Sequence, residues 1–171
     1  MRRRMLGLIL AVLAAGFMWR VPAAQAQFFM FENPLVGEKA PDFELSTMQD
    51  QKDTLSKYRG DKPAIIFFWA TWCPHCREQI STMESLKTEV ESKGIKLVLV
   101  DLGEDKKQVE RYFKKNNLDY NVFLDKDSKV AEQYNIVGVP TLIFVDKEGT
   151  VQAVEHVFPR NYEEILFGKK L

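Results

Sequence analysis

The stretch FFWATWCPHCREQ, residues 67 to 79, contains both cysteines of the 171-residue chain. It continues a run of apolar, aromatic and β-branched side chains that begins at Ala64, and this run, AIIFFWA, predicts a strand buried on both faces of a sheet. Cys73 and Cys76 follow the run and are separated by two residues. Two closely spaced thiols can bind a metal, cross-link the fold or exchange electrons, and the surrounding sequence distinguishes these uses.

A helix is predicted directly after Cys73. Over residues 74 to 93, apolar side chains recur at intervals of three and four residues, at Ile80, Met83, Leu86 and Val90. Pro74 occupies the first-turn position that proline favours. Unpaired N–H groups and the helix dipole stabilise a thiolate there, and C-x-x-C sulfurs in such places have pKa values of about 3.5 to 7.5, against about 8.5 for a free thiol. We therefore predict that Cys73 is the catalytic nucleophile and that Cys76, which points into the protein, attacks the mixed disulfide.

The rest of the chain alternates strand and helix patterns. Strands are predicted at residues 95–102 and 121–125, and a hairpin at 140–157. Helices are predicted around Val109 to Phe113, at 128–136 and at 161–171, and short strand and turn elements at 40–46 and 53–63. This order predicts an α/β fold with a mixed central β-sheet flanked by helices.

The N-terminus has the layout of an export signal. Arginines occupy positions 2 to 4, residues 5 to 19 are uncharged and mostly apolar, and Ala24-Gln25-Ala26 is a small-x-small cleavage site. The apolar stretch is shorter than the roughly 20 residues that span a bilayer as a helix. The predicted organisation is a signal peptide at 1–26, an aromatic leader at 27–36 and a domain at 37–171. We expect a periplasmic or otherwise extracytoplasmic protein; the alternative is membrane anchoring by an uncleaved N-terminal segment.

The charge balance argues against a nucleic-acid partner. The chain has 24 basic and 24 acidic side chains, and cleavage after Ala26 removes four arginines and no acid, which leaves 20 and 24. Neither this mildly acidic balance nor any basic cluster indicates binding to nucleic acid.

Beyond these patterns, the sequence resembles the thioredoxin superfamily over roughly residues 37 to 155. The resemblance rests on FFWATWCPHC and on GVPTLIFVDKEG at residues 138 to 149. GEKAPDFEL at residues 37 to 45 and VLVDLGEDKK at residues 98 to 107 are similar to its exported TlpA/ResA-like branch. The resemblance implies a thioredoxin-like fold and a thiol:disulfide oxidoreductase that acts on protein thiols and disulfides. It implies no cofactor besides the redox-active disulfide, and it suggests a membrane protein as electron donor; we expect a monomer.

The resemblance also assigns a substrate-binding groove. Pro140 would be a cis proline that faces the disulfide, and the backbone of Val139 would pair with an extended segment of the substrate. A proline at the start of a strand leaves an open edge, which favours strand addition by a peptide. Trp72 would form an apolar rim beside Cys73.

The chain departs from the family pattern at three places. Phe67 stands where thioredoxins have a buried acid, so water or a neighbouring group must relay the proton of Cys76. Ser81 stands where the family often has a helix-kinking proline. The pair Pro74-His75 resembles the C-P-H-C of the periplasmic oxidant DsbA.

The direction of electron flow depends on His75 and its surroundings. An imidazole beside the sulfur favours the thiolate, and stabilising the reduced form makes a disulfide a stronger oxidant. The span from thioredoxin to DsbA is about 7 kcal/mol, so such tuning is large. We predict that Pro74 and His75 tune the sulfur, yet that the protein is a reductant, for example in cytochrome c maturation. A DsbA-like dithiol oxidant is the alternative, and we expect no role for His156.

Metal binding, structural cross-linking and peroxidase chemistry fit the sequence less well. A structural zinc site needs four ligands, and beyond the two cysteines the chain offers only His75 and His156. A copper-binding thioredoxin-like carrier is the alternative of another class, because thiolates suit Cu(I), but such carriers usually have three residues between their cysteines. A bridge across so short a loop stabilises little. The threonine-and-proline frame of peroxiredoxins is missing before Cys73. We therefore predict no metal site.

Overall fold

The computed structural model describes residues 33–168, so the predicted signal peptide and residues 27–32 of the leader lie outside the described part of the chain. The described elements run in this order: β1 Glu44–Thr47, β2 Lys52–Thr54, α1 Leu55–Arg59, β3 Ala64–Trp69, α2 Pro74–Ser92, β4 Lys96–Leu102, α3 Lys106–Asn116, β5 Val122–Asp125, α4 Lys129–Gln133, β6 Thr141–Val145, β7 Val151–Glu155 and α5 Tyr162–Phe167. Within residues 33–168, no helix combines the length and the apolar character that crossing a membrane requires.

The strands form one mixed sheet in the order β2-β1-β5-β4-β3-β6-β7. Strand β3 pairs in parallel with β4 and antiparallel with β6, and all six of its residues are buried. Strand β4 pairs in parallel with β5, and the remaining pairs are antiparallel. The structure therefore confirms the predicted α/β fold with a mixed central sheet.

Helices cover both faces of this sheet because successive side chains of a strand point to opposite sides. Ile65, Phe67 and Trp69 of β3 share a core cluster with residues of α2, α3 and α5. Ile66 and Phe68 point the other way and share a second cluster with residues of α1 and α4. The central strand thus contributes aromatic side chains to both cores.

One short segment differs in detail from the sequence expectation. The turn predicted within residues 53–63 contains the helix α1, whose N-cap Thr54 accepts a hydrogen bond from the Lys57 N–H group and whose Leu55 is buried. Five residues are too few to display a helical period, so the pattern could not reveal this helix. Leu35 and Val36, which were assigned to the leader, pack against the second core cluster.

Three elements meet at one edge of the sheet and position the site. The parallel strands β3 and β4 both end there, at Trp69 and Leu102. Strand β6 begins at the same edge with Thr141, because it runs antiparallel to β3 and pairs Thr141 with Phe68. The turn from β3 to α2, residues 70–73, therefore lies beside the start of β6 and the end of β4.

Candidate active site

The two cysteines lie at the N-terminus of α2. Cys73 is the N-cap, Pro74 is the first helical residue, and the Cys76 N–H group donates a hydrogen bond to the Cys73 sulfur, with 3.1 Å between N and Sγ. The two sulfurs are joined as a disulfide, and the Cα atoms are 5.2 Å apart. Cys73 is 4% exposed and Cys76 is 0% exposed. The structure thus places Cys73 where the sequence predicted it, at the transition from a buried strand to a helix.

The Val139–Pro140 segment faces the disulfide. Its peptide bond is cis, as the resemblance implied, and the Cys73 Sγ lies 3.7 Å from the Val139 carbonyl oxygen. Pro140 immediately precedes β6, so the groove between this segment and Cys73 lies at the open start of a strand. The geometry brings together Cys73, Val139 and Pro140, three of the predicted site residues.

Three exposed apolar side chains are close in the chain to residues of this site. Trp72, the residue before Cys73 that was predicted as an apolar rim, is 66% exposed. Val137, two residues before Val139, is 97% exposed, and Val157, on the segment after β7, is 64% exposed. We call these three side chains, Trp72, Val137 and Val157, the outer rim. Large exposed apolar side chains that cluster beside a reactive group indicate a contact surface for a partner.

The two histidines have different surroundings. The side chain of His75 is 78% exposed, and its Nδ1 lies 3.2 Å from the Glu78 Oε2, one helical turn away. The Nδ1 of His156 lies 2.9 Å from the Pro140 carbonyl oxygen and 3.3 Å from the Thr141 Oγ1. Because a carbonyl oxygen only accepts, the His156 Nδ1 donates the hydrogen to it. Sequence reasoning gave His156 no role, since the hairpin that brings it to Pro140 has no signature near the cysteines.

A buried acid, Asp101, lies near Phe67 but on the neighbouring strand β4. Phe67 is fully buried, and Asp101 of β4 pairs in register with Trp69 of β3. Asp101 is 1% exposed, and neither carboxyl oxygen has a hydrogen-bond partner among the described residues. Burial, reinforced by the neighbouring carboxyl group of Glu104, raises the pKa of Asp101 to about 8. Sequence reasoning missed this residue, although an acid inside the apolar run IKLVLVDL was a signal for it.

Glu104 holds the turn that carries the cysteines. It is 5% exposed, its Oε2 accepts a hydrogen bond from the Thr71 N–H group at 2.5 Å, and its Oε1 accepts one from the Thr71 hydroxyl at 2.6 Å. The Arg77 guanidinium donates to the Thr71 carbonyl oxygen at 3.4 Å. Thr71 therefore has partners for its backbone N–H, its carbonyl and its hydroxyl group, two residues before Cys73.

A metal centre is not visible in the described part of the chain. Within residues 33–168, no group of three or more His, Cys, Asp or Glu side chains is arranged to hold a metal ion.

The cysteine pair at a helix N-terminus, the cis proline opposite it and the mixed sheet beneath them define the class of thioredoxin-like thiol:disulfide oxidoreductases, and this chain is one of them. It belongs to the AhpC/TSA family, whose profile matches residues 36–154.

Known proteins agree with this assignment. The chain is 33% identical over 119 residues to the thiol-disulfide oxidoreductase ResA of Geobacillus kaustophilus, which covers 70% of this chain and 68% of the relative. It is 33% identical over 121 residues to the thioredoxin-like protein YneN of Bacillus subtilis, with 69% of each chain covered. Among solved structures, a thiol:disulfide interchange protein of the thioredoxin family from Chlorobium tepidum superposes with a TM-score of 0.63 at 28% identity, over 75% of this chain and 92% of that one.

Proposed function

We propose that this oxidoreductase works outside the cytoplasm and reduces disulfides of other proteins through Cys73 and Cys76. The observation that carries the proposal is the hydrogen bond from the Cys76 N–H group to the Cys73 sulfur at the N-cap of α2. A donor and the positive end of a helix dipole both favour negative charge on that sulfur. Cys73 is therefore the thiol that is ready to attack.

The reaction begins when the reduced protein meets a partner disulfide. The Cys73 thiolate attacks one partner sulfur, forms a mixed disulfide and releases the other partner sulfur as a thiolate, which takes up a proton. The partner segment lies along Val139 and Pro140, which precede the paired residues of β6 and so lie outside its ladders, where a partner strand can pair. The outer rim covers the segment on either side of its cysteine.

Cys76 completes the exchange. Its sulfur gives up a proton and attacks the Cys73 Sγ, which forms the intramolecular disulfide and releases the second partner thiolate. The partner has gained two electrons, and the cysteine pair has lost two. The burial of Cys76 suits this role, because a 0% exposed sulfur reaches Cys73 and not an incoming partner. A membrane protein that supplies two electrons then reduces the pair again.

The surroundings of His75 support the reductant direction of electron flow. A protonated imidazole directed at the sulfur would favour an oxidant, but the His75 ring is exposed and is paired with the Glu78 carboxylate. The neighbouring carboxylate and the surrounding solvent both weaken the field of this ring at the sulfur. This pairing supports the reductant over the DsbA-like oxidant, and cytochrome c maturation is a role in which such a reductant acts.

The predicted export signal supports the location. The basic start, the apolar stretch and the Ala24-Gln25-Ala26 triplet direct the chain across the membrane. N-terminal sequencing of the protein recovered from cells tests this, because cleavage gives a chain that starts at Gln27. An intact Met1 in the membrane fraction would instead support the anchored form.

A trapping experiment tests the mechanism. Cys76→Ser should accumulate partner proteins covalently bound to Cys73, because the resolving sulfur is missing, and reducing agent should release them. Cys73→Ser is the matched control and should trap none. Equal trapping by both variants, or by neither, would contradict the assignment of roles.

Equilibration of the mature protein with glutathione tests the direction of electron flow. A potential near the roughly −270 mV of thioredoxin supports a reductant, and one near the roughly −120 mV of DsbA supports an oxidant.

A further inference from the structure

Asp101 lies on the cysteine side of the sheet. Leu97 and Leu99 of the same strand belong to the core cluster that contains Cys73 and Cys76. Because side chains alternate along a strand, Asp101 points to the same face as these two leucines. Its register partner on β3 is Trp69, the last residue of that strand before the active-site turn. A buried carboxyl group without a hydrogen-bond partner therefore lies at the carboxyl end of β4, on the inner side of the active-site turn.

Glu104 connects this position to the turn itself. Both of its oxygens accept hydrogen bonds from Thr71, which is the pattern that an ionised carboxyl group makes. The connection is short, since Thr71 is separated from Cys73 by Trp72 alone. We call Asp101 and Glu104 the acid pair.

We propose that the acid pair disfavours the thiolate form of the cysteine pair and thereby keeps the reduction potential of the protein low, so that Asp101 and Glu104 are positioning residues that set the direction of electron flow. This inference rests on the proposed function. It also answers what compensates for the missing acid at Phe67: a pair of acids on the neighbouring strand and the loop after it.

The sign follows from elementary electrostatics. Like charges in a dry interior repel strongly, and a carboxylate close to a sulfur therefore opposes its ionisation. A potential rises when the reduced form is stabilised, as in DsbA, so a group that destabilises the thiolate lowers it. Asp101 feels the same environment, because burial and then the Glu104 carboxyl group raise its pKa.

The elements packed beside this position carry other titratable or charged groups. On α3, Tyr112 stacks near Trp69 with ring centroids 5.6 Å apart, and burial raises its pKa above the usual value. On α2, Arg77 contacts the Thr71 carbonyl oxygen but is exposed, so solvent screens its charge. On β5, the register partner of Asp101 is Leu124, which is uncharged. Neither Tyr112 nor Leu124 brings a positive charge to the acid pair.

Neutralising substitutions test the proposal on the mature protein. Glu104→Gln and Asp101→Asn keep the shape of each side chain; the Asp101 substitution removes a charge only above about pH 8, because burial keeps this carboxyl group protonated at lower pH. Glu104→Gln at neutral pH, and Asp101→Asn above about pH 8, should each shift the equilibrium with glutathione toward the reduced protein by about tenfold, which corresponds to about 30 mV, and should speed alkylation of Cys73. Glu110→Gln, an exposed acid of α3, is the matched control and should change neither quantity by more than about twofold.

A third variant separates charge from geometry. Thr71→Val removes the hydroxyl donor to Glu104 but leaves the Glu104 carboxylate and the backbone N–H group of residue 71 in place. This variant should therefore not raise the potential. If Thr71→Val raises the potential as much as Glu104→Gln, or if Glu104→Gln leaves it unchanged, the electrostatic proposal is wrong.

A measurement on the unsubstituted protein covers the case in which a variant does not fold. Coupling between two groups is reciprocal, so the Asp101 carboxyl group, followed by carbon-13 NMR, should titrate at higher pH in the reduced protein than in the oxidised protein. Titration at the same pH in both forms would overturn the proposal. These outcomes can be distinguished from a failure of the proposed function. A shift on substitution is measurable whether the starting potential is that of a reductant or of an oxidant. It is also measurable whether or not Cys76→Ser traps a partner.

Discussion

The active-site turn has two sides with opposite chemistry. On the solvent side, the outer rim presents Trp72, Val137 and Val157, which are apolar and exposed. On the inner side, the acid pair of Asp101 and Glu104 is polar and buried. This is the reverse of the usual distribution, in which apolar groups are buried and acids are exposed. Exposed apolar side chains suit contact with a partner, whereas buried acids act on the groups packed around them.

The two sides are expected to control different quantities. A rim residue contacts the partner only in the complex, so it changes the rates of the forward and reverse exchange together and leaves the potential of the free protein unchanged. An inner charge acts in the free protein, so it changes the relative stability of the oxidised and reduced forms. A rim variant that changes the reduction potential of the free protein, or an inner variant that changes only the exchange rates, would contradict this division of roles.

The largest expected effect is on the inner side and concerns stability. The pKa of Asp101 is raised from 3.8 to about 8 in the folded protein, chiefly by burial. Folding therefore favours the protonated carboxyl group, and the unfavourable contribution of Asp101 is absent below about pH 4, grows as the pH rises and is complete above about pH 8. Asp101→Asn should remove this slope and increase the free energy of unfolding at pH 8 by an amount on the order of several kcal/mol.

Urea unfolding at a series of pH values measures the effect. Asp105→Asn is a useful control of opposite sign, because the hydrogen bond from Lys126 lowers the pKa of the exposed Asp105. Asp105 contributes stability above its unfolded pKa and loses it as the pH falls, so its variant should be slightly less stable at neutral pH. If Asp101→Asn has the same pH slope as the unsubstituted protein, the carboxyl group is not held neutral by the fold.

The next effect is on the outer side. Trp72→Ala removes the largest exposed apolar side chain beside Cys73 and should slow the exchange with protein disulfides by about tenfold, since buried aromatic anchors dominate interfaces. The equilibrium constant with glutathione should change by less than about twofold, so the potential should stay nearly the same. Stopped-flow measurement of the reduced protein with a protein disulfide, compared with a disulfide reagent too small to contact the whole rim, gives the contrast. Phe167→Ala, at an exposed apolar side chain of α5, is the matched control.

Substitutions at His156 test whether its hydrogen bond to Pro140 positions the groove. His156→Leu removes the N–H donor to the Pro140 carbonyl oxygen, and the loss of about 1 kcal/mol should slow exchange with protein disulfides by about fivefold. His156→Asn places an amide N–H where the Nδ1 was and should restore most of the rate. Rates that are equally low in the two variants would show that the ring matters for packing and not for its hydrogen bond.

The sequence predicted those parts of the molecule that are encoded locally. The apolar run of β3, the periodic helix α2 and the position of Cys73 between them follow from neighbouring residues, and the structure confirms them. The helix α1 is too short to show a period.

The inner side of the site was not predictable in the same way. Asp101 and Glu104 reach the turn because β4 lies beside β3, and His156 reaches Pro140 because β7 pairs with β6. No fixed spacing in the sequence connects these residues to the cysteines. A single sequence shows which residues are reactive more readily than it shows which distant residues adjust them.

The smallest expected effect belongs to His75, the residue that sequence adjacency favours most as a tuning group. His75→Ala should shift the glutathione equilibrium by less than about twofold, because an exposed imidazole paired with a carboxylate adds little field at the sulfur. Glu78→Gln sharpens the test: removing the carboxylate beside the His75 Nδ1 should also change the glutathione equilibrium by less than about twofold, because both side chains are exposed. A shift of about tenfold or more in the glutathione equilibrium on His75→Ala would show that the potential is controlled at the helix N-terminus and not on the inner side of the turn.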